Sequence, residues 1–256
     1  MVMPLYDDNP FKMPHTPVVT WSVIGFTIVA FVFEFSANDN PLVVANQFGV
    51  IPAAVSGAYQ FPGALNPWLT LVSYQFLHAD VVHLIGNLIF VWVFADNVEE
   101  ALGRWRFLAF YLLVGAAGAL AFVFSDPGSK VPLIGASGSV SGVVIAYLML
   151  RPCAKLTALV LGIPLRISAY WIIGVFIAIQ FINLGAATKS DVAWWCHVGG
   201  MLAGALLFPL MKQPGVKLFE CIRPGEIQLE SASVVQHSPH LPRRLPRHVD
   251  PGPGRL

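Results

Sequence analysis

Charged residues are scarce in this sequence of 256 residues. Asp, Glu, Lys and Arg make up only 11% of it, against 56% hydrophobic residues and a mean hydropathy of +0.67. Soluble domains carry about 25% charged residues, so the composition excludes an ordinary soluble protein and indicates the lipid bilayer as a partner. The net charge of +1 lacks the basic excess of nucleic-acid-binding proteins, and we expect no nucleic-acid partner.

Cysteine is also rare, and two protease signatures are missing. The sequence has three cysteines, Cys153, Cys196 and Cys221, which is an odd number, and they show no CxxC spacing. We therefore predict that the protein forms no disulfide and holds no zinc cluster. The sequence has no HExxH motif of a metalloprotease and no GxGD motif of an aspartyl intramembrane protease. We therefore expect no metal and no other cofactor.

Long apolar segments are abundant instead. A membrane-spanning helix needs about 20 mostly apolar residues, and six segments approach or reach that length. They run over about 18–35, 81–98, 107–124, 135–150, 167–184 and 193–211. The apolar stretch 156–165 is too short to span and contains Gly162 and Pro164, so we interpret it as a loop. The predicted fold is all-α, a polytopic six-transmembrane-helix bundle.

The chain around and between these helices divides into three parts. Residues 1–17 are a short cytoplasmic segment, 18–212 the membrane domain, and 213–256 a proline-rich tail predicted to be disordered. The connection 36–80 is rich in Val, Phe, Trp and Pro, which predicts a loop lying in the membrane interface. No clear A-x-A cleavage site follows the first apolar segment, so we interpret it as a helix rather than a signal peptide.

The distribution of Lys and Arg predicts the orientation. With six spans both termini share one side, which carries thirteen of the fifteen basic residues, and the other side holds only Lys130 and Lys189. Leaving out the five tail residues from Arg223 onward still gives eight against two. Because positively charged loops stay cytoplasmic, we expect cytoplasmic termini. We further expect the protein to be a multi-pass protein of the bacterial cell (inner) membrane.

Polar side chains gather at the outer ends of the second, fourth and sixth predicted helices. His83 and Asn87 are spaced i, i+4 on one face of a helix, and His78 precedes them. Ser137 and His197 lie near the starts of the other two helices, at the same predicted depth. Polar residues inside a membrane are costly and usually mark a functional interior site.

Small residues would let two of these helices approach closely. Gly135 and Gly138 lie on either side of Ser137, and Gly200 and Gly204 follow the histidine of the sixth helix on its own face. Side chains without bulk permit backbone contact between helices in a membrane. We therefore expect the outer ends of the fourth and sixth helices to meet.

A close helix pair of this kind has the parts of a hydrolase. A serine hydroxyl becomes a nucleophile when a base within hydrogen-bond reach takes its proton, which predicts a dyad of Ser137 and His197. Acyl transfer also develops an oxyanion, for which the Ser137 N–H, His83 and Asn87 are available donors. The opening between them would point to the outer side of the membrane, where water is accessible.

Each of these residues also has a simpler interpretation. By itself, Ser137 is typical of helix packing, and Asn87 is typical of a hydrogen-bonded bridge between helices. His197 by itself is typical of a proton relay, a metal ligand or a structural hydrogen bond. A metal site is a further alternative, although its possible ligands lack tight spacing: His78, Asp80, His83 and His197. Convergence from three helices favours catalysis.

At this point the residues resemble the signature motifs of rhomboid proteases. The resemblance covers about residues 15–212 in the same order, and its motifs are the GASG segment Gly135–Gly138, His83-xxx-Asn87 after His78, and His197-xx-Gly200-xxx-Gly204. It implies an intramembrane serine endopeptidase in which Ser137 is the nucleophile, His197 the general base, and His83 with Asn87 bind the oxyanion. It also implies a membrane-embedded first loop and a structural use of Glu99 and Gly103.

The resemblance further implies transmembrane proteins as substrates, which enter sideways between the second and fifth helices. It does not say what orients His197, because Ser141 stands where some members have a tyrosine. Position 95 is alanine where many members have glycine. Two alternatives remain, namely a catalytically inactive rhomboid-like protein that binds membrane clients and a small transporter, for which we find no inverted repeat.

Overall fold

A computed structural model describes residues 2–7, 16–37, 41–160, 162–185 and 193–221. This part of the chain is mostly helical and carries one small sheet. The helices are α1 Val18–Ala37, α2 Pro41–Phe48, α3 Pro52–Val55, α4 Pro67–Ser73, α5 Val81–Leu102, α6 Arg104–Ser125, α7 Ser137–Leu150, α8 Ala169–Gly185 and α9 Trp194–Met211. The strands are β1 Val2–Asp7, β2 Lys155–Val160 and β3 Ile163–Ser168.

Each of the six predicted helices corresponds to a helix of the structure. Within the described ranges, four are long and apolar enough to cross a bilayer, namely α1, α5, α6 and α9. The other two are shorter, α7 with 14 residues and α8 with 17. At about 1.5 Å per residue, α7 extends roughly 21 Å and does not cover the hydrocarbon layer of about 30 Å alone.

The short helix α7 lies at the centre of the bundle. Eleven of its fourteen residues are buried, so it is enclosed by other elements on every face. Its neighbours are α5, α6 and α9, and Tyr147 packs edge-on against Phe94 of α5 at 4.9 Å between ring centres. The start of α7, where Ser137 stands, is therefore held among helices rather than placed on the lipid-facing surface.

The expectation of an all-α fold and of a loop at 156–165 was wrong. Strand β2 pairs antiparallel with both β1 and β3, and Leu156 lies opposite Ile167. Gly162, which suggested a loop, has φ +85° and supplies the positive φ that a tight hairpin turn needs. Pro164 lies on the edge strand β3, where a missing N–H breaks no sheet pairing.

The connection 36–80 is also more regular than a loop. The helices α2, α3 and α4 begin at Pro41, Pro52 and Pro67, because proline has a suitable φ and its missing N–H is not needed in a first turn. Asn66 caps α4, its side-chain oxygen accepting from the Trp68 N–H at 3.0 Å. Trp68 is itself exposed, and the interfacial position of this connection stays a prediction.

The prediction of no disulfide was wrong as well. Cys153 and Cys221 are joined, with 5.1 Å between their Cα atoms. The two cysteines are 68 residues apart in sequence, and they meet because the chain turns back after α9. Arg151 forms an ion pair with Glu220 at 2.7 Å beside them. Residues 213–221 are thus linked to the rest of the bundle, whereas the predicted disorder of 222–256 lies outside the described residues.

Candidate active site

The turn before α7 can be made only by glycine. Gly135 has φ +120°, a conformation that side chains rarely adopt. Its N–H donates to the Tyr74 carbonyl oxygen at 2.9 Å, and a Cβ atom at this position would lie 2.7 Å from the His83 ring. The absence of a side chain therefore lets the turn lie directly against α5 and places Ser137, which is half-buried, at the first position of α7.

The helices α7 and α9 are in backbone contact. A Cβ atom at Gly200 would overlap the Gly138 carbonyl oxygen, and one at Gly204 would lie 2.6 Å from that of Gly142. This is the close approach that the glycines predict. Because both contacts advance in the same direction along the two chains, the helices are parallel.

This register determines where the two predicted catalytic residues stand. Ser137 immediately precedes the first contact on α7, and His197 lies three residues before the first contact on α9. Both residues are half-buried and occur at the same end of the helix pair. The arrangement can bring a hydroxyl and an imidazole together inside the bundle, which is the geometry that nucleophilic catalysis requires.

Polar side chains of α5 and of the residues just before it lie on a second side of the site. The Asn87 side-chain amide donates to His78 Nε2 at 3.0 Å, and the His78 and His83 rings are 5.0 Å apart. Asp80 caps α5 by accepting from the His83 N–H at 2.8 Å. In the part of the chain that the structure describes, no group of three or more His, Cys, Asp or Glu is placed to hold a metal ion.

The His197 ring has two partners. Its Nδ1 lies 2.7 Å from Oε1 of Gln180, a buried residue of α8. The Trp194 ring approaches it edge-on at 5.9 Å between centres. The resemblance left open what orients this histidine, and the structure places an amide there.

Glu99, one of the predicted supporting residues, lies far from this group. It is at the opposite end of α5, about 24 Å from His83 at about 1.5 Å per residue. Its carboxylate accepts from the Val19 and Thr20 N–H groups at 3.0 and 2.7 Å and caps the start of α1. Gly103, with φ +79°, follows at the sharp turn between α5 and α6. Both residues are therefore tied to helix ends.

Several residues that support the site were not singled out from the sequence, namely Glu34, Tyr74, Gln75, Ser139 and Gln180. The Tyr74 hydroxyl donates to the Gly115 carbonyl at 2.6 Å, Ser139 donates to Gln75 at 2.8 Å, and the His78 N–H donates to Glu34 at 3.2 Å. All these side chains are buried, as is that of Gln180. An available signal was their polarity inside otherwise apolar segments, which usually marks an interior site.

The chain matches a known protein family. A model of the Rhomboid domain matches residues 65–214, which is more than half of the chain and includes His83, Asn87, Ser137 and His197. This chain belongs to the rhomboid family. The rhomboid domain, together with four described helices that are long and apolar enough to span a bilayer, makes it a multi-pass membrane protein.

This rhomboid is similar in sequence to proteins from animals and bacteria. It is 31% identical over 146 residues to "Presenilin-associated rhomboid-like protein A, mitochondrial" of Danio rerio, covering 56% of this chain and 37% of that protein. It is 31% identical to "Rhomboid protease GluP" of Bacillus subtilis, covering 55% and 25%. It is 27% identical to "Putative rhomboid protease YdcA" of the same species, covering 75% and 86%. The chain thus spans only about a quarter to two fifths of the first two relatives.

Proposed function

We propose that this rhomboid is an intramembrane serine protease, which hydrolyses peptide bonds in or near transmembrane segments of membrane proteins. The observation that carries the proposal is the parallel contact of α7 and α9 at Gly138 and Gly200, which sets Ser137 and His197 at one end of the pair. Family membership supports it, because the chain is similar in sequence to a relative that is named as a rhomboid protease.

The proposed reaction uses the side chains and the backbone N–H of this site. His197 accepts the hydroxyl proton of Ser137 as the oxygen attacks the substrate carbonyl carbon, and later gives that proton to the departing amine. The Ser137 N–H, the His83 ring and the Asn87 amide donate to the oxyanion that forms. Water then hydrolyses the acyl-enzyme, with His197 again acting as the base.

The proposed function also requires a definite orientation of the protein in the membrane. The α1 and α5–α9 helices cross the membrane in turn, with α7 extending through only part of the hydrocarbon layer, so that both termini are cytoplasmic and the site opens to the outer side. Substrates enter sideways between α5 and α8, where Phe90 and Phe176 contact each other at 5.8 Å between ring centres. Cleavage then falls near the outer end of the substrate helix, after a small residue. The bacterial cell membrane stays a prediction, since the named relatives are bacterial and mitochondrial.

Cleavage of a model transmembrane substrate by purified protein in detergent tests this function. We expect wild type to cleave, and Ser137→Ala and His197→Ala each to abolish cleavage while the variants remain folded, because the side chains supply chemistry rather than core volume. The double variant should lose little more, since the residues act as a unit. Cleavage by either single variant would contradict the mechanism. A wild type that binds the substrate without cleaving it would indicate a client-binding protein.

A further inference from the structure

The contact between Gln180 and His197 joins two different helices. Gln180 stands on α8, is only 3% exposed, and directs Oε1 to within 2.7 Å of His197 Nδ1. The bond thus joins a buried amide to a half-buried imidazole, and a buried polar side chain without a partner is costly. A hydrogen bond in this setting restricts the rotation of the imidazole about its χ2 angle.

The second hydrogen bond of Gln180 decides which way its amide faces. Its Nε2 donates to the Phe176 carbonyl oxygen at 3.2 Å, one turn earlier on α8. A carbonyl oxygen can only accept, so the NH2 group must face Phe176. Oε1 is then the atom that faces the imidazole.

The orientation of the amide in turn decides the tautomer of the imidazole. Oε1 can only accept, so His197 must carry a proton on Nδ1 in order to donate to it. In the neutral ring the other nitrogen, Nε2, is then unprotonated. A general base needs this free lone pair to take the serine proton.

We propose that Gln180 is a positioning residue, which holds His197 in the Nδ1-protonated tautomer and directs Nε2 toward Ser137. The inference rests on the proposed protease function and completes it, because a Ser–His pair needs a third group to orient the base. Ser141 stands where some family members have a tyrosine, and its hydroxyl has no hydrogen-bond partner among the described residues. The orienting contact comes from α8 instead.

Kinetics of two substitutions test this role. Gln180→Met keeps similar volume but replaces the accepting oxygen by a thioether sulfur, which accepts only weakly, so we expect kcat to fall on the order of 10- to 100-fold with little change in KM. Gln180→Glu should restore most of the activity, because a carboxyl group presents an accepting oxygen to Nδ1 in either protonation state. Asn183→Ala is the matched control, since Asn183 also donates to a carbonyl one turn earlier on α8, that of Ile179 at 2.8 Å, and is part of no proposed site. It should leave kcat unchanged.

A kcat of Gln180→Met equal to that of wild type would overturn the proposal. So would equal losses in Gln180→Met and Gln180→Glu, or a loss in Asn183→Ala as large as that in Gln180→Met. The last two results would indicate a general disturbance of α8 rather than a missing acceptor.

A spectroscopic measurement separates this inference from the protease function. In Ser137→Ala protein with ¹⁵N-labelled histidine, the His197 signals, assigned by their loss in Ser137→Ala/His197→Ala, report which ring nitrogen carries the proton. We expect the Nδ1–H form with Gln180 and a mixture or the Nε2–H form in the additional variant Gln180→Met. An unchanged tautomer would overturn the positioning role. A tautomer that depends on Gln180 in a protein that cleaves nothing would contradict only the protease function.

Discussion

The helices α9 and α8 both hold the His197 imidazole in place, but they are packed in opposite ways. On α9, Gly200 and Gly204 press against the backbone of α7. On α8, a Cβ added at Gly174 would meet no described atom within 4 Å, and Trp171 and Ile182 are more than 60% exposed. The base is therefore carried by a helix fixed to the core, whereas its orienting amide is carried by a helix with a largely exposed surface.

The largest expected effect comes from adding bulk to the tight helix. Gly200→Ala puts a methyl group into the Gly138 carbonyl, and we expect it to lower the free energy of unfolding by about 1–3 kcal/mol as the helices separate. Moving the catalytic groups apart by about 1 Å costs on the order of 100-fold in rate, so turnover should fall with it. Melting temperature and turnover, measured on one preparation, check this result.

Gly174→Ala is the control for that substitution on the looser helix. It adds the same methyl group where there is space, so both the melting temperature and the turnover should stay near those of wild type. If the two variants behaved alike, the difference in packing between α9 and α8 would have no energetic consequence.

An effect on turnover without a loss of stability is expected on α5, which contributes to the site without carrying the base. Asn87→Ala should lower kcat by at most about 10²–10³-fold and leave KM nearly unchanged, because its amide is proposed to meet an oxyanion that exists only after attack. The remaining donors, His83 and the Ser137 N–H, limit the loss. Steady-state kinetics at several substrate concentrations measure both constants.

The bond from Asn87 to His78 offers the competing interpretation of that residue. If the amide served only to bridge these side chains, Asn87→Ala should lower the melting temperature and the turnover together. A destabilised variant whose folded fraction turns over normally would remove Asn87 from the active site.

The parts of this fold that the sequence predicted are those with local or repeated signals. Apolar segments located every long helix, because burial in lipid demands continuous hydrophobicity. The glycine spacing on α9 predicted its contact with α7, since only residues without side chains permit such an approach. The position of Ser137 at the start of α7 followed from its GASG segment.

The parts that were missed depend on residues distant in sequence. Cys153 pairs with Cys221 only because the chain turns back after α9, and β2 is recognisable as a strand chiefly through its partners β1 and β3. Gln180 was a lone amide in an apolar helix, and nothing local indicated that it would face His197 from another helix. Such contacts are set by tertiary packing rather than by periodicity.

The most direct test of the Ser137–His197 dyad is covalent labelling of the serine. A fluorophosphonate probe reacts with a serine whose proton is taken by a neighbouring base, and mass spectrometry of the labelled peptide locates the adduct. We expect one adduct, on Ser137, in the wild type, and loss of labelling in a folded His197→Ala variant. An unlabelled Ser137 in the wild type, or labelling at full rate without His197, would contradict the dyad.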